Sequence, residues 1–349
     1  MHNSIREITG KRKCCQSGCI KSKDGQVLME KAEIMARWKE YIEELYHDER
    51  GRKPRIRMDI DRPSTLENEV REAIKYTKNN KAPGPDELKV ELIKCLEDFG
   101  VQKLTEIIND IYNSGAIPED LSRSIFVTLP KKPGTTDCEC HRTISLMSHV
   151  TKILLRILTT RARNKIRPEI SESQCGFVAD SGTRNAIFMM RMLSERAIEM
   201  KKDLFVCFID YSKAFDTVKH EKLTEMLQML NMDGKDIRIM RNMYWEQTAA
   251  VRIDGETSDF ISIKKGVRQG CVWSPDFWNL YAENIFRAVE EMPGLGIGGH
   301  NVNNIRYADD TTLITALQIK VQGLLDEVVL ESSRMGLSLN CKKTQCMVI

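Results

Sequence analysis

Apolar positions recur at helical spacing near the start of the chain. Leu28, Ile34, Trp38, Ile42 and Leu45 fall on one stripe, predicting an amphipathic helix over 27–48. A basic break, RGRKPRIR with Pro54 inside it, reads as a linker. Ser64 and Glu67 have capping-box spacing, so a second helix is expected to start after Ser64 and run to about Thr77. The following NNKAPGPDEL cannot be regular, because Pro83-Gly84-Pro85 forces a turn. Further helices are expected near 87–113, then a strand near Ile125–Leu129 and a Lys131-Lys132-Pro133-Gly134 turn. Helical patterns cover 143–166 and 183–200.

From Leu204 the period changes. LFVCFID is a continuous apolar run ending in an acid, the pattern of a strand buried on both faces. Asp254-Gly255 between alternating segments predicts a hairpin over 250–265. A helix from Pro275 to about Glu291 follows, with proline suited to its first turn. NNIRYADDTTLIT reads as two short strands joined by an acidic turn, 317–335 as a last helix, and GLSLNCKKTQCMVI as strand-like. The class is α+β with helices outnumbering strands.

Composition bounds the function. The chain has 349 residues, 41% hydrophobic and 30% charged, which fits globular material of about two domains and neither a disordered nor a fibrous protein. No apolar run approaches the ~18 residues of a membrane span, and Met1–Lys13 lacks a secretory apolar core, so an intracellular protein without a membrane partner is expected. Short basic runs, GKRK and RGRKPRIR, leave nucleus and cytoplasm both open. The net charge is only +3, but residues 1–23 carry six basic side chains (Arg6, Lys11, Arg12, Lys13, Lys21, Lys23) against Glu7 alone, and 120–170 carry ten against four. Such local excess suits phosphate neutralisation and solvated surface alike. The 11 cysteines form no disulfide framework; Cys14, Cys15 and Cys19, and Cys138, Cys140 and His141, lack paired CxxC spacing, so reduced structural thiols are expected rather than zinc.

The chemistry sits in carboxylates. Asp210 ends the apolar strand, and Asp309-Asp310 occupies the hairpin turn. Aspartate alone in a strand end or turn is equally well explained by local hydrogen bonding. Adjacent aspartates repel, and a divalent cation relieves that cost. Mg²⁺ is held by one or two carboxylates plus substrate phosphates, and a pair of such ions serves in-line phosphoryl transfer.

FIDYSKAFD, GVRQGCVWSP, IRYADDTTLI and GLSLNCKKT, in that order, resemble the palm motifs of a reverse transcriptase. Upstream, NNKAPGPDEL and TLPKKPG…HRTISLMSHVTKILLRIL resemble the leading motifs of non-LTR (long interspersed) retrotransposon polymerases, closest to the jockey-like group. The resemblance runs from about Lys78 to Ile349, and EITGKRKCC…GCIKSKDG resembles the segment joining endonuclease to polymerase. It implies a right-hand polymerase with an antiparallel palm sheet and packed helices, in three parts: an N-terminal helical and basic segment (1–62), a leading helical fingers region (63–110) and fingers with palm (111–349). The implied chain is a fragment of an element, without endonuclease, thumb or cysteine-rich tail.

The implied function is RNA-directed DNA polymerisation, with dNTPs added to a DNA primer 3′-hydroxyl on an RNA template and two Mg²⁺ ions, for which Mn²⁺ can substitute. By the resemblance, Asp210, Asp309 and Asp310 hold the metals. Phe215 excludes a ribose 2′-hydroxyl, although periodicity alone also allows core packing. Gln269 and Gly270 contact nucleotide and template, with glycine permitting close backbone approach. Lys131, Lys132 and Arg142 grip the triphosphate, and Lys343 protonates departing pyrophosphate. The chain departs from the pattern at Val178, Ala179 and Asp180, where the family shows a basic residue and glycine, and at His141, Cys175, Trp273 and Trp278. These departures and the implied truncation give the alternative: an inactive remnant of the same fold that only binds nucleic acid. Sequence leaves the oligomeric state open.

Overall fold

The computed structural model describes residues 19–56 and 63–349. Arg6, Lys11, Arg12, Lys13, Cys14, Cys15 and Arg57, singled out above, lie outside the described residues.

Two sheets organise the chain. The first is antiparallel throughout, in the order Asn304–Tyr307, Asp310–Thr315, Phe205–Ile209, Gln345–Val348. The Phe205–Ile209 strand is paired on both sides, so the apolar run has its ladder hydrogen bonds satisfied. It is not buried on both faces as expected: Phe208 stays 39% exposed on the side shared with the Thr183–Glu199 helix. That helix covers the face only partly, with Met189, Met190 and Leu193 against Val206, Ile305 and Ile314.

In the second sheet Arg123–Pro130 lies between His141–Met147, antiparallel, and Thr248–Ile253, parallel. Here the expected helix over 143–166 divides. His141–Met147 is a strand whose odd positions Thr143, Ser145 and Met147 turn inward, and the helix is His149–Ile166, capped by the Ser148 hydroxyl accepting the Val150 N–H at 3.2 Å. The Asp254-Gly255 hairpin forms as predicted, both residues at positive φ (46° and 86°), the backbone of a type I′ turn.

The first helix, Lys31–Tyr46, lays Trp38, Ile42 and Tyr46 on this sheet against Phe126, Val251 and Ile261. Burying each such side chain is worth about 1.5–3 kcal/mol. The next helix is Glu67–Lys75, and the Ser64 cap expected for it is not made: Glu69 reaches back instead to accept the Leu66 N–H at 2.9 Å. The Pro83-Gly84-Pro85 turn is wedged into the core, since a Cβ on Gly84 would lie 2.3 Å from the Ser148 nitrogen. Helices Asp98–Ser114, His149–Ile166, His220–Met229, Gly234–Trp245, Ser274–Phe286 and Gln318–Arg334 share one large core with the inner face of the first sheet. A buried ion pair, Arg306 to Glu283 at 3.1 Å, ties that sheet to the Ser274–Phe286 helix. No helix among the described residues is long and apolar enough to cross a membrane.

Candidate active site

Strand register brings the acids together. Thr311 pairs with Ile209 and Tyr307 with Asp310, so continuing the ladder by one residue sets Asp210 beside Asp310. Ala308 and Asp309 form the two-residue turn between the strands, with Ala308 at φ 58°. Burial, then the nearby Asp310 and Asp210 charges, holds the Asp309 carboxyl above the ordinary aspartate range, and Arg142 opposes the shift. Asp310 is shifted the same way, by burial and then by Asp210.

The strand-like GLSLNCKKTQCMVI divides here. Gln345–Val348 is a strand, while 338–344 is a loop wrapped around Asp210. The Asn340 N–H donates to the Asp210 carbonyl at 2.7 Å, the Ser212 N–H to the Ser338 carbonyl at 2.8 Å, and Thr344 Oγ1 accepts the Asp210 N–H at 3.5 Å. This loop delivers Lys343, whose Nζ lies 3.1 Å from Asp210 Oδ2. Among the described residues, no three metal-ligating side chains are drawn together closely enough to enclose an ion as they stand. The Lys343 ammonium offsets part of the negative charge gathered here.

The other candidates frame this centre. Arg142 is exposed on the second sheet, opposite Leu129, near enough to Asp309 to act on its charge. Lys131 and Lys132 are exposed at the adjoining turn, and Lys131 Nζ donates to the Glu139 carbonyl at 3.1 Å. Gln269 is joined to the same strand, its carbonyl accepting the Ser145 N–H at 2.9 Å. Gly270 has φ 98°, while a Cβ there would find its nearest neighbour at 3.5 Å. Backbone conformation therefore calls for glycine, and crowding within the protein does not. Phe215 is half-buried between Trp278 and Phe177. Cys175 and Trp273 are core residues, Trp273 stacking on Phe277 with ring centroids 5.0 Å apart. His141 meets Trp38 edge-on.

Sequence reading missed two residues that hold this arrangement. Asp216, the second acid of FIDYSKAFD, is 7% exposed, and its Oδ1 accepts from the Tyr46 hydroxyl at 2.8 Å and Gln269 Nε2 at 3.1 Å. Burial pushes its pKa up, against those two hydrogen bonds. Gln174, just before CGF, is 2% exposed. Its Oε1 accepts from the Ala308 N–H at 2.9 Å and the Gly176 N–H at 2.7 Å, while Nε2 donates to the Ala308 carbonyl at 3.3 Å. Gly176 lies against the same turn, since a Cβ would come 2.2 Å from the Ala308 nitrogen.

A four-stranded antiparallel sheet with acids on neighbouring strand ends, facing a second sheet that carries basic side chains, is the fingers-and-palm arrangement of right-hand polymerases. Residues 129–348 match the family model described as reverse transcriptase (RNA-dependent DNA polymerase), and the chain belongs to that family. It is 28% identical to the RNA-directed DNA polymerase from mobile element jockey of Drosophila melanogaster over 254 residues, 72% of this chain and 27% of that protein. It is also 28% identical to the Pol polyprotein from type-1 retrotransposable element R2 of Popillia japonica over 283 residues, 79% of this chain and 38% of that one. The transposon TX1 149 kDa protein of Xenopus laevis is 25% identical over 73% of this chain and 20% of its own length. The chain thus spans between a fifth and two-fifths of these relatives. Among solved structures, apo telomerase of Candida tropicalis truncated from its C-terminal domain superposes with a TM-score of 0.51 at 14% identity, covering 78% of this chain and 58% of that one, a likeness of fold.

Proposed function

We propose that this chain is the RNA-directed DNA polymerase portion of a non-LTR retrotransposon protein, extending a DNA primer on an RNA template with dNTPs. The observation that supports this most is the register that sets Asp210 beside Asp310 next to the Asp309 turn.

Asp210, Asp309 and Asp310 would hold Mg²⁺. The donor set fits: three carboxylates offer the hard oxygen ligands that Mg²⁺ takes, and the like charges that raise Asp309 (Asp310 and Asp210) and Asp310 (Asp210) are a cost that a bound cation would relieve. When bound, the ions would supply the charge that stabilises the attacking and leaving oxygens of in-line phosphoryl transfer. The chain's own residues would do the rest. Arg142, whose guanidinium fork matches phosphate geometry, would orient the triphosphate with Lys131 and Lys132 nearby. Gln269, braced by Asp216 and the Ser145 strand, would position the nucleotide, and Gly270 would let the backbone come close to it. Phe215 would face the sugar and reject a 2′-hydroxyl. Lys343, whose Nζ lies 3.1 Å from Asp210 Oδ2, would stand beside the acids to protonate departing pyrophosphate.

Primer extension on an RNA template with Mg²⁺ and dNTPs tests this, comparing the chain with its Asp309→Asn variant. Extension by the parent alone supports the proposal. Salt-sensitive RNA binding without extension by either, in folded protein, would overturn it in favour of the inactive remnant.

A further inference from the structure

Trp278 departs from the family pattern, and the fold gives it a specific neighbour. It projects from the Ser274–Phe286 helix, is fully buried, and stacks on Phe215 with ring centroids 5.1 Å apart and planes 24° off parallel. It also meets Tyr211, the residue after Asp210, edge-on at 6.2 Å. On its other flank Phe215 meets Phe177 edge-on, again at 6.2 Å. Phe177 is 49% exposed and held at φ 60°, a backbone conformation uncommon for a bulky residue.

Burial alone does not explain a tryptophan here. Its indole N–H is buried without a hydrogen-bond partner, a cost that a leucine or phenylalanine would avoid. What the indole offers beyond a phenyl ring is a larger flat surface against the Phe215 ring, in the near-parallel stacked geometry seen here. An aromatic ring excludes a hydroxyl group only while it cannot tilt. Phe215 is half-buried, and a ring so placed turns readily about its side-chain torsions unless something packs against its face. Trp278 packs against that face, so tilting Phe215 toward it would require displacing a fully buried indole from a close-packed core.

We propose that Trp278 is a positioning residue for sugar discrimination: it fixes the plane of the Phe215 ring and with it the clearance over the ribose 2′ position. The inference rests on Phe215 acting as the sugar gate. Trp278 itself touches no substrate, so its effect must pass entirely through Phe215.

The test measures kcat/KM for a dNTP and its matching ribonucleotide in primer extension on RNA, for the parent chain, Trp278→Leu, Phe215→Ala and the double variant. Thermal melting establishes that each is folded. Trp278→Leu is expected to raise relative ribonucleotide use roughly tenfold, the scale on which small steric changes in an apolar pocket act, with dNTP use little changed. Phe215→Ala should relax discrimination further, and the double variant no further than Phe215→Ala alone. Trp278→Phe keeps a flat ring and should retain most of the discrimination; it also serves as the readout if the leucine variant does not fold, since it should still relax selectivity measurably. Discrimination unchanged in both Trp278 variants, while Phe215→Ala admits ribonucleotides, would overturn the role of Trp278 and leave the gate standing. Discrimination unchanged in Phe215→Ala would overturn the gate, and this proposal with it.

Discussion

Gln174 Oε1 accepts the Ala308 N–H at 2.9 Å, so a buried glutamine 134 positions upstream fixes the tip of the hairpin that presents Asp309. Ala308 sits in the left-handed region, which alanine does not favour, and the two hydrogen bonds it exchanges with the Gln174 amide offset that cost. Gln174→Ala leaves the turn's buried N–H and carbonyl unpaired. It is expected to cost about 1–3 kcal/mol in urea unfolding and to lower extension turnover with little change in the KM for dNTP. Turnover equal to the parent's would show that the turn holds itself.

Asp216 carries two hydrogen bonds from parts of the chain distant in sequence, Tyr46 and Gln269. Asp216→Asn retains an acceptor oxygen and should behave close to the parent in unfolding and in KM for dNTP. Asp216→Leu removes it, and is expected to lose about 2 kcal/mol of stability and to raise that KM. Equal KM values for the two variants would contradict the bracing of Gln269.

Lys343 is 65% exposed, so its ion pair with Asp210 contributes no more than about 1 kcal/mol to stability. Its electrostatic effect on a cation is another matter, because it occupies the carboxylate that a metal would take. Lys343→Gln is expected to leave the melting temperature nearly unchanged, to tighten Mn²⁺ binding measured by electron paramagnetic resonance, and to slow extension. Weaker Mn²⁺ binding in that variant would argue that the lysine is no competitor for the site.

His220 is fully buried, and its Nε2–H donates to the Gly266 carbonyl at 2.8 Å. Burial, with the nearby Arg50 and Arg268 charges, pushes its pKa down to about 3, against the hydrogen bond to Gly266. The unfolded chain takes up a proton near pH 6.5 that the folded chain refuses until about pH 3. Stability therefore falls as pH drops through this window, by about 1.4 kcal/mol per pH unit at its steepest, and this contribution is constant above it. Urea midpoints at pH 7.5 and 5.5 should differ less in His220→Gln than in the parent; an unchanged difference would assign the acid sensitivity to other groups.

What could be read from the sequence was local. The Asp254-Gly255 turn and the strand–turn–strand of IRYADDTTLI are written in short-range chemistry, and both form as expected. Asp210, Asp309 and Asp310 were legible because acids at the ends of apolar runs are conspicuous. The His141–Met147 strand was not, since its apolar residues run without a break into those of the following helix and merge with its period. Ser64 had the right spacing for a cap, but Glu69, also bound to Arg161, won the Leu66 N–H. Gln174 gave no periodic signal, because a lone glutamine acquires its role only when residues far along the chain fold against it. Asp216 stood inside a quoted motif, yet its partner Tyr46 lies 170 positions away.

The pairing of strands remote in sequence also governs when this structure is able to form. Ser124 meets Thr248, 124 positions later, and Asp210 meets Thr344, 134 positions later. Contacts of such separation close slowly, because the intervening chain must surrender its freedom before any pairing rewards it. Both pairing partners of the Phe205–Ile209 strand, Asp310–Thr315 and Gln345–Val348, lie more than a hundred positions after it, so the strand is without either until they are made. A chain cut short before those partners would leave an apolar strand with two open edges, the arrangement that favours association between chains over folding within one.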